Sequence, residues 1–408
     1  MWWGWALVAG VALVYAASSK RLSTSIITGP MVFVALGFLV SDHGLDLVRI
    51  ELDSDLVKSL FKITLALLLF VEASRMNLKA LRGDAGWVGR LLLFVMPLVM
   101  ILGATSALLL FDGISIWEAA VLGVILAPTD SALGMPVVLN KKVPHRVRRS
   151  LVAESGLNDG LALPFAIIFT GAALADLGFE VRGDAVEFIV KQVGIGVLGG
   201  AVLGVAAGWL IARAIDVSFI SSTWLHLSAL AAGLLGYAGT EALEGNGFVA
   251  VWVAGLLYGY MLRRVVGDDH VYSEFAEHLT EALIPASFFV FGATMLGVAL
   301  DVVTIEIVLF GLLSLIIIRP LATAIGFIGA KAEWPTVLFL GWFGPRGIAS
   351  LIIAAIVIKE AGLASDDAIV SITSIAVVLS VYLHGLSAAS GASGYARWAT
   401  SHPVDVDS

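Results

Sequence analysis

The chain has 408 residues, of which 59% are hydrophobic and 14% are charged, and it carries a net charge of −8 at pH 7. Soluble domains contain roughly 45–50% apolar and about 25% charged residues, so this composition excludes an ordinary soluble protein and indicates a membrane protein. The absence of cysteine excludes disulfide frameworks, thiolate metal sites and thiol nucleophiles. The apolar composition makes membrane lipid the expected partner. The negative charge is expected in loops and at buried acids, and no nucleic acid partner is expected.

Apolar segments long enough to cross a bilayer, roughly 20 residues each, recur along the chain. Lys20 and Arg21 follow the first apolar segment rather than precede it, so that segment is predicted to be a retained helix and not a signal peptide. Thirteen membrane-spanning helices are predicted, at about 3–18, 22–40, 56–74, 87–111, 115–139, 147–172, 186–213, 222–243, 246–262, 283–300, 304–328, 335–358 and 367–390.

The basic residues of the predicted loops are unevenly divided between the two sides of the membrane. Sixteen lie in the loops after odd-numbered spans or in the tail, and six lie on the opposite side. Cytoplasmic loops are enriched in lysine and arginine. The N-terminus is therefore predicted outside and the C-terminus in the cytoplasm, in the plasma membrane of a bacterium or an archaeon.

An odd number of spans suits two six-helix units of opposite orientation joined by one extra helix. Residues 69–81 of span 3 align without gaps to residues 288–300 of span 10 and share Phe, Val, Met, Ala and Leu. In spans 5 and 12 a tryptophan lies eleven residues before a proline, namely Trp117 before Pro128 and Trp334 before Pro345. Spans 3 and 10, and spans 5 and 12, are the pairs that would be equivalent if spans 1–6 and spans 8–13 were two repeats. An all-α fold with two inverted repeats is therefore predicted.

Charged residues at bilayer depth cost about 2.5–3.5 kcal/mol each on insertion scales, so each requires a reason. Four acids and two bases are predicted at this depth: Glu72, Asp130, Glu154, Asp159, Arg319 and Arg346. An excess of buried carboxylates is what a site for a cation or a proton requires.

Spans 5 and 12 are both interrupted by proline, which breaks a helix. Pro128 precedes Thr129 and Asp130 in span 5, and Gly-Pro-Arg-Gly occupies 344–347 in span 12. The span 5 break is either a kink with a capped half-helix or a site where freed carbonyls and Asp130 supply oxygen ligands. Arg346 is expected to offset the negative end of the first half of span 12. Paired interruptions in two repeats are the best sequence indication of a transporter's binding site.

Span 6 places four polar residues, Glu154, Ser155, Asn158 and Asp159, on one helix face, because they are three or four residues apart. Glu154 and Arg319 are expected to form a neutralising pair, whereas Asp159 has no evident basic partner. Burial favours the protonated form of Asp159, so proton and cation can compete there. The alternative is that this face only packs helices through hydrogen bonds.

The remaining polar features are less specific. His226 and His384 are placed near span ends and are expected to make local hydrogen bonds. The sequence contains no Walker motif, no metal-ligand cluster and no serine-nucleophile motif, so we expect neither an enzyme nor a bound cofactor.

Over nearly its whole length the chain resembles the NhaP-type sodium/proton antiporters of the monovalent cation/proton antiporter superfamily. The matching motifs are Phe70-Val-Glu72 in helix 3, Thr129-Asp130 in the broken helix 5, Glu154-Ser155 and Asn158-Asp159 in helix 6, Arg319 in helix 11, and Pro345-Arg346-Gly347 in helix 12.

This resemblance implies exchange of Na⁺ for H⁺ by alternating access, with Li⁺ or K⁺ as alternatives and no cofactor. Asp159 would bind the proton or the cation, and Asp130, the main chain of Thr129 and Ser155 would complete the sodium site. Asn158 would hold the site together. Relatives with an Asn-Asp pair in helix 6 are typically electroneutral, so one-for-one exchange is implied.

The resemblance also implies a structural ion pair between Glu154 and Arg319, and a homodimer in which a core domain moves against a dimerisation domain. Glu72 is a further acid near the site, and whether it carries an additional proton is left open by the sequence. The dimerisation domain would comprise 1–86 and 173–300, the core 87–172 and 301–390, and a short cytoplasmic tail 391–408.

Two other functions fit part of the pattern. Asp130 and Asp159 would suit an intramembrane aspartyl protease, but those proteases show Tyr-Asp and Gly-x-Gly-Asp where this chain has Thr-Asp and Leu-Asn-Asp. A passive cation channel would differ from an antiporter because flux of one ion would not drive the other uphill.

Overall fold

The computed structural model describes residues 9–18, 27–50, 54–138, 140–176, 185–267, 271–361 and 366–402. Throughout these ranges the regular structure is helical and no strand occurs, which confirms the all-α prediction. The predicted starts of spans 1 and 2, at 3 and 22, lie outside the described residues, as does the end of the predicted tail, 403–408.

The helices are numbered in chain order. They are α1 (Ala9–Ser18), α2 (Gly29–Val40), α3 (Asp55–Arg75), α4 (Leu78–Arg90), α5 (Met96–Leu110), α6 (Ile116–Ile125), α7 (Ser131–Val138), α8 (His145–Asp176), α9 (Ala185–Asp216), α10 (Ser222–Glu241), α11 (Gly247–Val266), α12 (Glu274–Thr294), α13 (Leu296–Asp301), α14 (Ile305–Leu313), α15 (Arg319–Gly326), α16 (Trp334–Trp342), α17 (Ile348–Ala361) and α18 (Asp366–Ser401).

Within the described ranges, six helical segments are long and apolar enough to cross a membrane: Arg82–Leu110, His145–Leu174, Val190–Asp216, Gly247–Val266, Ile305–Gly326 and Ala368–Ser401. The first and the fifth each contain a π-helical turn, at Leu91–Val95 and Ser314–Ile318, so α4 continues into α5 and α14 into α15. The second turn lies directly before Arg319 and so helps set the direction of that side chain. The number of thirteen spans stays a prediction.

Several helices extend beyond the predicted spans. The helix of span 4 begins at Leu78 rather than 87, and that of span 10 at Glu274 rather than 283. Both added segments are rich in polar and charged residues. The predicted spans began later because they were read from apolar segments only. The helix of span 13 continues past 390 to Ser401, where Tyr395 stacks on Phe339 with ring centroids 4.1 Å apart.

The break in span 5 is positioned by local signals at both ends of α6. Ser115 and Glu118 form a reciprocal capping box: the Ser115 side chain accepts the Glu118 N–H at 3.1 Å, and the Glu118 carboxylate accepts the Ser115 N–H at 2.9 Å. At the other end, Pro128 follows closely after Ile125, and α7 resumes at Ser131.

The helices pack into two groups. In one group α11 contacts α3, α9 and α10, and α12 contacts α2 and α3. In the other, α8 contacts α6, α7 and α17, while α18 contacts α7, α14 and α17. The groups meet where α8 contacts α3, α9 and α11 and where α17 contacts α3. The polar face of α8 therefore lies within the second group, close to the boundary with the first.

Candidate functional site

The two interrupted helices meet at their breaks. One break separates α6 from α7 and the other separates α16 from α17. The backbone N–H of Asp130 in the first break donates to the carbonyl of Pro345 in the second at 2.7 Å. Backbone groups that each break removes from its own helix are therefore satisfied in part by the other break, which is how unwound backbone is tolerated at membrane depth.

Arg346 lies in the second break, and its side chain hydrogen-bonds to the backbone of the first break. Its side chain is fully buried, and Nη1 donates to the carbonyls of Ala127 at 2.7 Å and Pro128 at 3.0 Å. These carbonyls follow the C-terminal end of α6, where the helix dipole is negative. We expected Arg346 to offset the first half of span 12; the structure instead directs it to span 5, because the breaks cross and each side chain reaches the opposite backbone.

The carboxylate of Asp130 lies at the N-terminal end of α17. Its Oδ2 accepts the backbone N–H of Ile348 at 2.8 Å, where the positive end of a helix dipole favours an anion. Gly347 makes this approach possible, since a Cβ at that position would lie 1.8 Å from the same Oδ2. The glycine is therefore required by the close approach of a charged side chain to the backbone.

The polar face of α8 holds the first break in place. Ser155 donates from Oγ to the carbonyl of Thr129 at 2.7 Å and accepts the N–H of Ser131 at 2.9 Å. Asn158 donates from Nδ2 to Oγ1 of Thr129 at 2.9 Å and accepts the Thr129 N–H at 3.4 Å. The structure thus brings Thr129, Ser155 and Asn158 together as one hydrogen-bonded unit.

Asp159 lies on the same face and is 4% exposed. Among the described residues its Oδ1 has no hydrogen-bond partner, and the same holds for Oε2 of Glu72 on α3. Asp130, Glu72 and Glu154 are all close enough to repel the Asp159 carboxylate. A buried oxygen in such surroundings is satisfied by binding either a proton or a cation.

A small cavity adjoins these groups. It has a volume of about 10 Å³ and is lined by residues of both breaks and of α8, including Thr129, Asp130, Ser155 and Pro345. This volume is about that needed for one water. The lining supplies carboxylate, hydroxyl and carbonyl oxygens, the ligands that hard cations prefer.

Glu154 and Arg319 form a two-point ion pair. Nη1 and Nη2 of Arg319 donate to Oε1 and Oε2 of Glu154 at 2.7 and 2.8 Å, and both residues are 1% exposed. Gly344 leaves room for the guanidinium, because a Cβ there would lie 1.9 Å from Nε of Arg319. The pair fixes α15 to α8 one helical turn from Asn158.

Two residues of α18 support the second break: Ser380, which sequence reasoning missed, and His384, which was expected to make only local hydrogen bonds. Ser380 accepts the backbone N–H of Arg346 at 2.6 Å and lies 3.2 Å from Nδ1 of His384. Nε2 of His384 lies 2.9 Å from the carbonyl of Trp342 and Nδ1 lies 3.0 Å from the carbonyl of Ser380, so either ring nitrogen can donate to a backbone carbonyl. His384 was expected near a span end, whereas it is fully buried inside α18. The sequence did contain a signal for this contact: Ser380 and His384 are four residues apart on an apolar helix, so they lie on the same helix face.

Two larger cavities flank the site along α3. One, of about 440 Å³, includes Glu72, Arg75, Arg148, Arg149 and Glu281 in its lining. The other, of about 290 Å³, includes Lys62, Leu163, Ile352 and Glu241. By the predicted topology the first faces the cytoplasm and the second faces the outside. Each cavity lies between the two helix groups, as the approaches to an alternating-access site must.

The crossed breaks and the buried acids around them define an all-helical membrane protein of the broken-helix type. The model of the family "Sodium/hydrogen exchanger, transmembrane" matches residues 8–390, and the chain belongs to this family. The resemblance to the sodium/proton antiporters that the sequence motifs indicated is thereby confirmed.

Proteins similar to this chain include antiporters of two different cations. The chain is 25% identical over 94% of its length to the K(+)/H(+) antiporter NhaP2 of Shewanella oneidensis, of which it covers 64%. It is 27% identical over 79% of its length to the Na(+)/H(+) antiporter ApNhaP of Aphanothece halophytica, of which it covers 61%. The chain thus spans less than two thirds of the length of these relatives.

A solved structure shares the fold over the whole chain. The sodium proton antiporter MjNhaP1 from Methanocaldococcus jannaschii at pH 8 superposes with a TM-score of 0.79 at 23% sequence identity, covering 96% of this chain and 97% of that one.

Proposed function

We propose that this chain is a secondary antiporter that exchanges Na⁺ for H⁺ at the crossed helix breaks. The observation that carries this proposal is the buried Asp159 carboxylate, whose Oδ1 has no hydrogen-bond partner among the described residues and which lies beside a second buried acid, Asp130. The family membership supports an ion-exchange role and leaves the aspartyl protease alternative without support.

The residues around Asp159 have different roles in the proposed exchange. Asp159 holds either the proton or the cation. Asp130, the Ser155 hydroxyl and the Thr129 carbonyl supply further oxygens for the cation. Asn158 keeps Thr129 in position through its two hydrogen bonds. Glu154 and Arg319 neutralise each other, so the pair adds no net charge to the site.

Exchange follows from competition for one carboxylate. At low pH a proton occupies Asp159 and excludes the cation, whereas at high pH the cation binds and protons for the return step are scarce. Asn158 stands beside Asp159 as a neutral amide, so the loaded and protonated states carry the same charge. This supports one-for-one exchange, with Glu72 as the acid that would change the stoichiometry if it also released a proton.

Movement between the two faces would occur along the boundary between the helix groups. We propose that 87–172 and 301–390 form the moving core, that 1–86 and 173–300 form the dimerisation domain, and that the protein is a homodimer in the plasma membrane with its N-terminus outside. The cavities on either side of the site support this division, because both lie between α3 and α8.

The choice between sodium and potassium is the second question. Similarity to the potassium antiporter of Shewanella oneidensis supports K⁺ as the alternative substrate of this chain. Similarity to the sodium antiporter of Aphanothece halophytica supports Na⁺. The chain belongs to the sodium/hydrogen exchanger family, and this membership supports sodium as the proposed substrate.

The test is exchange by the purified protein in proteoliposomes with a pH-sensitive dye inside, screened with Li⁺, Na⁺ and K⁺. An imposed sodium gradient is expected to drive protons uphill. Asp159→Asn, which preserves the shape of the side chain, is the matched inactive control. Ion flux that dissipates both gradients without coupling would instead indicate a channel, and a response to K⁺ alone would replace sodium by potassium.

A further inference from the structure

Pro164 leaves one carbonyl of α8 without its helical hydrogen bond. The proline lies in the interior of α8, which runs from His145 to Asp176. Proline has no backbone N–H, so the carbonyl four residues earlier, that of Gly160, lacks the donor that a regular helix supplies. Gly160 is buried and directly follows Asp159, the proposed carrier of the proton or the cation. A buried carbonyl at this place requires a donor from elsewhere.

Asn246 supplies that donor from outside α8. Its Nδ2 donates to the Gly160 carbonyl at 2.8 Å, and the residue is 1% exposed. Its Oδ1 accepts the Val249 N–H at 3.0 Å as the N-cap of α11. Its backbone N–H donates to the carbonyl of Gln192 on α9 at 3.0 Å. Asn246 is therefore fixed to α9 and α11, while its amide nitrogen reaches the backbone of α8.

α8 and α11 are in close contact around this hydrogen bond. A Cβ at Gly160 would lie 2.9 Å from the backbone nitrogen of Val249, and one at Gly156 would lie 2.3 Å from Nε1 of Trp252. The two glycines are about one turn apart, so both lie on the face of α8 that packs against α11. α9 and α11 belong to the proposed dimerisation domain and α8 to the proposed core. The hydrogen bond from Asn246 to Gly160 thus crosses the boundary along which the core would move.

The core is positioned so that the site lies nearer to the cytoplasmic cavity than to the external one. Val138 lines both the cavity of about 440 Å³ and the small cavity at the breaks. The external cavity, of about 290 Å³, reaches α8 at Leu163, about one turn beyond Asp159. By the predicted topology, the hydrogen bond from Asn246 is therefore made in a state that faces the cytoplasm.

We propose that Asn246 is a positioning residue that latches the core in the cytoplasm-facing state through the carbonyl of Gly160. This inference rests on the proposed antiport function. For the site to face the outside, α8 must move relative to α11, and this movement separates the amide from the carbonyl. Water in the opened external cavity then takes the place of the amide, so the latch can be released in each cycle. Asn246 acts on the position of α8 and does not contact the ion.

The latch has a kinetic signature that differs from damage to the site. The loss of one neutral hydrogen bond is expected to change the ratio of the two facing states about two- to tenfold. The apparent affinity on each side of the membrane falls as the fraction of carrier facing that side falls. Loss of the latch therefore raises the cytoplasmic KM for Na⁺ and lowers the external KM, whereas damage to the ion ligands raises both.

The variant that tests the latch is Asn246→Ser. Serine is also a favoured N-cap, so it keeps the contact with the Val249 N–H, but its side chain is too short to reach the Gly160 carbonyl as well. Exchange is measured in right-side-out and everted vesicles from cells without other sodium/proton exchangers. The ratio of external to cytoplasmic KM should fall about two- to tenfold. Ser54→Ala is the matched control and should leave this ratio unchanged, because it removes the cap of α3 in the same domain, where Ser54 accepts the Val57 N–H at 3.3 Å.

A second test uses Pro164. Pro164→Ala returns an N–H to α8, so the Gly160 carbonyl gains a donor within its own helix. In that background Asn246→Ser is expected to change the KM ratio less, and to lower the thermal unfolding temperature less, than in the parent. The unfolding measurement decides the question even if Pro164→Ala transports poorly. Equal effects of Asn246→Ser in both backgrounds would show that Asn246 does not act through this carbonyl.

Two further results would overturn the latch. They are KM values that move in the same direction on both faces, and a KM ratio that Asn246→Ser leaves unchanged. The failure of the underlying function is a different result, since the parent and the Ser54→Ala control would then show no coupled exchange at all.

Discussion

Replacing Arg319 by alanine removes one partner of the ion pair with Glu154 and leaves the other as a buried charge. The two residues are 1% exposed and joined by hydrogen bonds of 2.7 and 2.8 Å, so little water is available to replace the lost partner. Two unit charges about 4 Å apart at an effective dielectric constant of about 20 attract by about 4 kcal/mol. Breaking buried pairs typically costs about 3–5 kcal/mol, which agrees with that figure.

The stranded Glu154 would also lie near Asp159, whose carboxylate it already repels. Arg319→Ala and Glu154→Ala are therefore expected to lower thermal stability more than Asp159→Ala does, since Asp159 loses no ion-pair partner. The measurement is thermal unfolding of the purified protein in one detergent. The control is the double variant Glu154→Ala/Arg319→Ala, which removes both charges and should recover part of the loss. Single variants as stable as the parent would refute a stabilising pair.

Three further predictions concern the site. Asp159→Asn is expected to abolish sodium-driven proton flux while the protein stays folded by size-exclusion chromatography; substantial remaining flux would exclude Asp159 as the shared carboxylate. Gly347→Ala is expected to reduce transport at least as severely as Asp130→Asn, because its Cβ would lie 1.8 Å from Oδ2 of Asp130; a Gly394→Ala variant, where a Cβ would meet nothing within 4 Å, should be tolerated in the same flux assay. Exchange should depend on pH in a bell shape, with the apparent affinity for Na⁺ weakening about tenfold per pH unit on the acid side. Its rate should not depend on membrane potential in voltage-clamped proteoliposomes, and a systematic voltage dependence would point to Glu72 as a second proton carrier.

Much of the site was accessible from the sequence because charge and proline are costly inside a membrane. The four polar residues of α8 were placed on one face by spacing alone, and the breaks at Pro128 and Pro345 were visible as interruptions in apolar segments. The excess of acids over bases at bilayer depth indicated a cation or proton site before any contact was known.

The remaining features depend on contacts between distant parts of the chain. Arg346 reaches the carbonyls of Ala127 and Pro128 only because the two breaks cross, and sequence spacing carries no information on that crossing. Ser380 was missed, and only local hydrogen bonds were expected of His384, because their partners Arg346 and Trp342 lie outside α18. The end of α18 was placed too early, since the residues after 390 include Arg397 and many small side chains, so they resemble a loop in composition.

The mutual hydrogen bonding of the two breaks has a consequence for how the proposed carrier treats different ions. Asp130 is bonded to both Pro345 and Ile348, and Arg346 is bonded to Ala127, Pro128 and Ser380. The half-helices are therefore tied into one block, and a movement that exposes the site to the opposite face carries all of these ligands together. In the proposed cycle the coordination sphere stays the same from either side, so the face from which an ion arrives does not change which ion is preferred.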